Sequence, residues 1–148
     1  MDIGKLKQMA IAVWQRGGLD MLVKVMPYGA KPNPAYSVGY CTTLKYVLGR
    51  APGQMESIVG LAPGSKLVHG AEIFTVRPLP SAGEFDLKGY TQTPAGVSTS
   101  DPAYVPHPGY PPGEGVPQWD LARVPQSRLI HLASVPAGAV FHHSMLPP

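Results

Sequence analysis

The spacing of apolar residues changes character once along the chain, near residue 65. Before that point apolar positions recur at helical intervals. Ile3, Leu6, Ala10, Val13 and Trp14 share one face of a helix that Asp2 caps and Gly17-Gly18 ends. Residues 19–26 form a short apolar run of either type, capped by Asp20 if helical. Asn33 followed by Pro34 reads as the cap and first turn of a second long helix. Tyr36, Tyr40, Leu44, Val47 and Leu48 lie on its face and Gly49 at its end. Pro52-Gly53 opens a shorter helix through Met55, Ile58 and Val59, closed by Gly60. Beyond residue 65, runs rich in Val, Ile, Phe, Thr and Tyr are cut by Pro and Gly, at 67–77, 84–91, 96–100, 116–122, 128–133 and 138–142. Thirteen of the eighteen prolines fall here. Proline within sheets keeps to edges, strand starts and bulges, so these runs are expected to be short strands joined by ordered loops. Residues 101–115 form the longest loop, of a length that is often functional. The expected fold is α+β in one domain over 1–148. N-terminal helices (1–62) are followed by a small, mostly antiparallel, loop-rich β-sheet (65–148).

Composition narrows this picture. Charged residues make up only 14 % of 148, which excludes disorder driven by charge. The net charge of +3 is uneven. Residues 1–70 hold eight Lys/Arg against three Asp/Glu, and residues 71–148 hold four against six. The lysines of the basic half stand singly, as on a solvated surface. Cys41 is the one cysteine, which excludes an intrachain disulfide and a thiolate metal cage. It falls on an inward-looking position of the second expected helix, where a small buried thiol is expected. The N-terminus lacks the unbroken apolar run of a signal peptide or membrane span, so a soluble protein without a membrane partner is expected. It would be a secreted or delivered effector if a toxin, and cytoplasmic otherwise.

The residues that can carry chemistry lie in the second half. The strand run Glu72-Ile73-Phe74-Thr75-Val76-Arg77 ends in a cation, and Arg offers two parallel donors to a phosphate. Ser98 and Ser100 alternate to one face of a following strand, with Thr99 opposite. Tyr104, Tyr110 and Trp119 are candidate aromatic walls, and Glu114 and Gln118 arrive late enough to complete a site. A strand arginine, Ser-Thr-Ser and a late Glu or Gln form an order suited to cleaving nicotinamide from NAD. That reaction needs a cation for pyrophosphate, hydroxyls for ribose, and an oxygen to steady an oxocarbenium-like state.

On these residues, over about 69–120, the chain resembles the ADP-ribosyltransferase-like domains of bacterial polymorphic toxins and effectors. The resemblance implies an N-terminal helical region before a split antiparallel sheet, with NAD as the substrate. It implies Arg77, Ser98, Gln118 and Glu114 as catalytic residues. Arg77, Ser98, Thr99, Ser100, Tyr110 and Trp119 would contact NAD. It also implies a macromolecular target and a cognate immunity protein. The sequence departs from the family in lacking a Glu-x-Glu or Gln-x-Glu pair, and in placing Pro78 after Arg77 and Pro117 before Gln118.

Two rival readings stand beside it. Five histidines (His69, His107, His131, His142, His143) permit a metal-independent ribonuclease, with His69 and His131 as acid and base and Arg77 or Arg128 as cation. No spacing marks a metal site. The proline-rich loop with Tyr104 and Tyr110 also suits a non-enzymatic interaction module of phage or secretion-system type. Taken singly, Arg77 reads as a surface partner of Glu84 or Asp86, and Trp119 as core.

Overall fold

The computed structural model describes residues 2–58, 64–90 and 116–148. Helix α1 (Ile3–Gln15) forms as its pattern dictates: Asp2 accepts the Lys5 N–H at 3.0 Å, Leu6, Ala10 and Trp14 are buried, and two left-handed glycines follow. Ile3, read as part of the buried face, is half exposed. Helix α2 (Pro52–Ile58) is the short helix expected from Pro52-Gly53.

Between them the chain departs from the helical expectation. Residues 22–27 are strand β1 (Leu22–Pro27), and 37–43 are strand β2 (Ser37–Thr43) followed by a single 3-10 turn. The long helix expected from Asn33 is therefore corrected to a turn and a strand. Asn33 does cap, but locally: its Oδ1 accepts the Ala35 N–H at 3.0 Å, closing an Asx turn in place of a helix. Val38, Tyr40, Thr42 and Thr43 are strand formers, and pairing on both sides decides their state. Residues 2–58 are thus helix at each end and strand in the middle.

Strands β3 (Gly70–Val76), β4 (Asp86–Tyr90), β5 (Pro117–Pro125) and β6 (Leu129–Pro136) complete an antiparallel six-stranded sheet of order β4-β5-β2-β1-β3-β6. All four match expected strands. The run at 138–142 is not a strand: Phe141 is fully buried and exchanges two backbone hydrogen bonds with Gly49 and Arg50. The 96–100 run lies outside the described residues.

The sheet parts down its middle. β1 and β2 pair only at Leu22–Thr43 and Val23–Thr42. From there β1 continues on β3 to Pro27, while β2 continues on β5. Two three-stranded halves result, β4-β5-β2 and β1-β3-β6. Helix α1 closes one core over both halves, where Trp14 meets Phe85 at 4.8 Å and Trp119 at 5.2 Å, both edge-on. A second core behind β1, β3 and β6 gathers Val23, Ile73, Met55, Leu67 and Phe141. β3 is buried along its whole length because it separates the two.

Gly70 starts β3 at φ +126°, and a Cβ there would sit 2.5 Å from the Val135 carbonyl oxygen and 2.8 Å from the Tyr28 ring. The glycine lets the chain turn tightly against β6. Gly70→Ala is expected to cost about 1–3 kcal/mol through backbone strain and overpacking. A urea midpoint unchanged from wild type would contradict this.

Candidate functional site

Arg77 follows directly on β3 and is exposed. Its expected carboxylate partners are held by other arginines. Arg128 Nη1 donates to Glu84 Oε2 at 2.5 Å, and Arg123 Nη2 donates to Asp86 Oδ1 at 2.9 Å. The Arg128 bond, followed by a backbone N–H from Ser81, holds the Glu84 carboxyl below the usual carboxylate range. The pairing expected of Arg77 is thus corrected: among the described residues it makes no ion pair. Arg77 lines a cavity of about 360 Å³ together with Trp14, Met21, Leu22 and Leu79. Arg128 Nη2 also donates to the Pro78 carbonyl at 2.7 Å, which fixes the segment that carries Arg77.

Gln118 lies on β5 and is only 5 % exposed. It stands one residue from the Cys41–Trp119 pair, beside Thr42, which pairs with Val23, which in turn pairs with Thr75. This row crosses the four central strands and ends two residues short of Arg77. Gln118 and Arg77 are therefore not neighbours: three strand spacings separate them, roughly 14 Å at ~4.8 Å each. All four residues of the row are buried, and three of them, Gln118, Thr42 and Thr75, are polar. Thr42 and Thr43 are 2 % and 1 % exposed, and their hydroxyls have no hydrogen-bond partner among the described residues. Such orphaned groups each cost about 1–3 kcal/mol.

Trp119 is corrected as an NAD contact. It is 1 % exposed and packed edge-on against Trp14, so no ring face is open to a ligand. Ser98, Thr99, Ser100, Tyr104, Tyr110 and Glu114 lie outside the described residues. Cys41 is a buried thiol as expected, though on a strand, and burial pushes its pKa up to about 12. Among the described residues no cluster of His, Cys, Asp and Glu is arranged to hold a metal, and no helix is long and apolar enough to cross a membrane.

Two features escape the sequence reading. Lys24, taken as a scattered surface lysine, reaches across the parting of the sheet, where its Nζ donates to the Tyr40 carbonyl at 3.2 Å. Glu72 is a buried carboxylate, 6 % exposed, and the one charged residue of strand β3. Its Oε1 accepts from Ser134 Oγ and lies 2.8 Å from His131 Nε2, and its Oε2 accepts the Gly29 N–H at 2.7 Å. A lone charged residue amid Ala71, Ile73 and Phe74 is the one local trace of this cluster, because a buried carboxylate requires partners. His69 does not join His131. It precedes β3 at the far end, five residues from the Phe74–His131 pair, roughly 17 Å along the strand at ~3.4 Å per residue.

No protein-family model, no curated protein and no solved structure matches this chain.

Proposed function

We propose that the chain is an NAD-consuming enzyme, an ADP-ribosyltransferase or NAD glycohydrolase of toxin type. The observation that carries this reading is the parting of β1 and β2 behind an N-terminal helix. That is the split antiparallel sheet which the resemblance implies, and it is a likeness of architecture, so the residues at the parting must supply the chemistry. They are of the right kinds. Gln118 brings an amide, Thr42 beside it brings an unpartnered hydroxyl, and Lys24 brings a cation. Arg77, exposed and lining the cavity at the end of β3, adds a second cation.

In this reading Arg77 anchors the pyrophosphate or ribose, and Ser98 and Ser100 order the nicotinamide end. Gln118 or Glu114 orients the ribose hydroxyls. The bond from ribose C1′ to the nicotinamide nitrogen breaks with its electron pair going to nicotinamide. A side-chain oxygen steadies the positive charge that develops on the ribose. Water, or a nucleophile on a macromolecular target, then takes the ribosyl group. A cognate immunity protein is the partner that such a toxin would need.

The test is a thermal shift with NAD. At ten times its dissociation constant NAD stabilises the folded chain by about 1.4 kcal/mol, roughly 3–5 °C for a chain of this size. Arg77→Ala and Gln118→Ala are each expected to abolish the shift while the unliganded protein still melts cooperatively. No shift at millimolar NAD removes the reading.

A further inference from the structure

We propose that the cavity beneath the β1–β2 loop is a second chemical site, where His131 removes the proton of a ribose 2′-hydroxyl and an RNA strand is cleaved at the adjacent phosphodiester. The cavity, about 280 Å³, is bounded by Gly29, Lys31, Pro32, Glu72, Phe74 and His131. It falls near the lower end of the size of small-molecule sites, which suits a single nucleotide.

The hydrogen bonds around Glu72 decide what His131 can do. Burial alone would raise the Glu72 carboxyl. The donors Ser134 Oγ, Gly29 N–H and the His131 ring outweigh burial and hold it below the usual carboxylate range. Glu72 is therefore ionised and can only accept, so His131 Nε2 is the donor across the 2.8 Å contact. The neutral ring then carries its lone pair on Nδ1, the nitrogen turned away from Glu72. His131 is 49 % exposed while Glu72 is sealed, so a fixed buried carboxylate orients an accessible base.

Ser134 is not a nucleophile in this arrangement. Its proton is given to Glu72, and its Oγ lies 3.2 Å from Nε2, the same nitrogen that donates to the carboxylate. A serine triad needs the hydroxyl on the opposite ring nitrogen, which excludes acyl transfer here.

The rest of the cavity suits a nucleotide. Pro32 and the half-exposed His131 ring give a surface for a base, with the buried Phe74 ring edge-on behind His131 at 5.3 Å. Lys31 supplies a cation for phosphate, and with Glu72 it is the charged group that lines the cavity beside His131. In the step, the 2′-oxygen bonds to phosphorus as its proton passes to Nδ1. The bond from phosphorus to the 5′-oxygen breaks, and that oxygen keeps the electron pair and takes a proton from water. A 2′,3′-cyclic phosphate remains, and the imidazolium releases its proton to solvent. Glu72 is a positioning residue.

The test uses the full chain with a single-stranded RNA oligonucleotide in EDTA, beside the matching DNA. RNA cut to 2′,3′-cyclic ends, with DNA left intact, is expected. His131→Ala should lower the rate at least ~100-fold with only a modest fall in melting temperature, since Glu72 loses one donor but keeps Ser134 and the Gly29 N–H. Lys31→Ala should raise KM. Glu72→Gln should lower kcat with KM held, and nitrogen-15 NMR of His131 should change from the Nε2–H form to a mixture of tautomers. RNA left intact by the wild type overturns the proposal. So does cleavage that survives in His131→Ala, is lost in EDTA, or extends to DNA. His131→Ala leaves the NAD shift unchanged, which keeps this site and the NAD reading separately testable.

Discussion

Trp14→Ala is expected to destabilise the fold by about 3–5 kcal/mol, the range for removing a large buried aromatic. Trp14 is 2 % exposed and is the side chain through which α1 grips the sheet. It touches Phe85, just before β4, and Trp119 on β5, and shares a core with Leu22 of β1 and Phe74 of β3. It therefore bridges both halves of the parted sheet, and the cavity left by alanine would be shared between them. Against a total stability of ~5–15 kcal/mol, this is a loss of a third or more in most cases. The melting temperature should fall by roughly 10 °C. Urea denaturation of the variant is the measurement. A loss below ~1 kcal/mol would mean that α1 is not docked as described.

The second large effect is expected at Glu56. This α2 carboxylate is 2 % exposed and accepts the backbone N–H groups of Gly64, Lys66 and Leu67 at 2.9, 2.8 and 2.9 Å. It holds the turn that leads into β3. Glu56→Ala leaves three donors without their acceptor and should cost about 3–5 kcal/mol; Glu56→Gln keeps one acceptor oxygen and should cost less. Burial works to raise the Glu56 carboxyl, but the backbone donors outweigh it and the pKa lies below 4.5. A carboxylate whose folded pKa is depressed contributes stability above its unfolded value, and that stability is lost as pH falls through the folded value. The wild type should therefore weaken from about pH 4.5 downward, and Glu72 and Glu84, also lowered, add to the same slope. Glu56→Gln should flatten the slope. An equal acid slope in variant and wild type would contradict this account.

The elements most legible in the sequence are those whose local chemistry and packing agree. Helix α1 has a cap, a stripe and a glycine stop, and it forms within those limits. Strands β3 to β6 were legible because proline and glycine bracket runs of strand formers. The segment 33–48 misleads because Tyr36, Tyr40 and Leu44 repeat every four residues, a spacing that helices share with a twisted strand running into a 3-10 turn. Only pairing with β1 and β5 resolves it, and pairing is not a local property.

The candidate sites were legible to different depths. The position of Gln118 on a strand was readable, but its partners Thr42 and Val23 come from strands far earlier in the chain. Arg77 was correctly seen as a strand-end cation, while the arginines that satisfy Glu84 and Asp86 lie about forty residues further on. Glu72 and His131 are 59 residues apart, and only the register of β3 on β6 brings them together. A residue type can be read from sequence, whereas a hydrogen bond across strands needs the register that a single chain does not spell out.

The solitary thiol of Cys41 has a practical consequence. Only 2 % exposed, in one core with Trp14 and Trp119, and protonated at neutral pH, it stays silent toward maleimide or iodoacetamide while the chain is intact. Its alkylation rate in dilute urea therefore counts opening events of the innermost layer. A cysteine engineered elsewhere on the surface would take a fluorophore at that place alone.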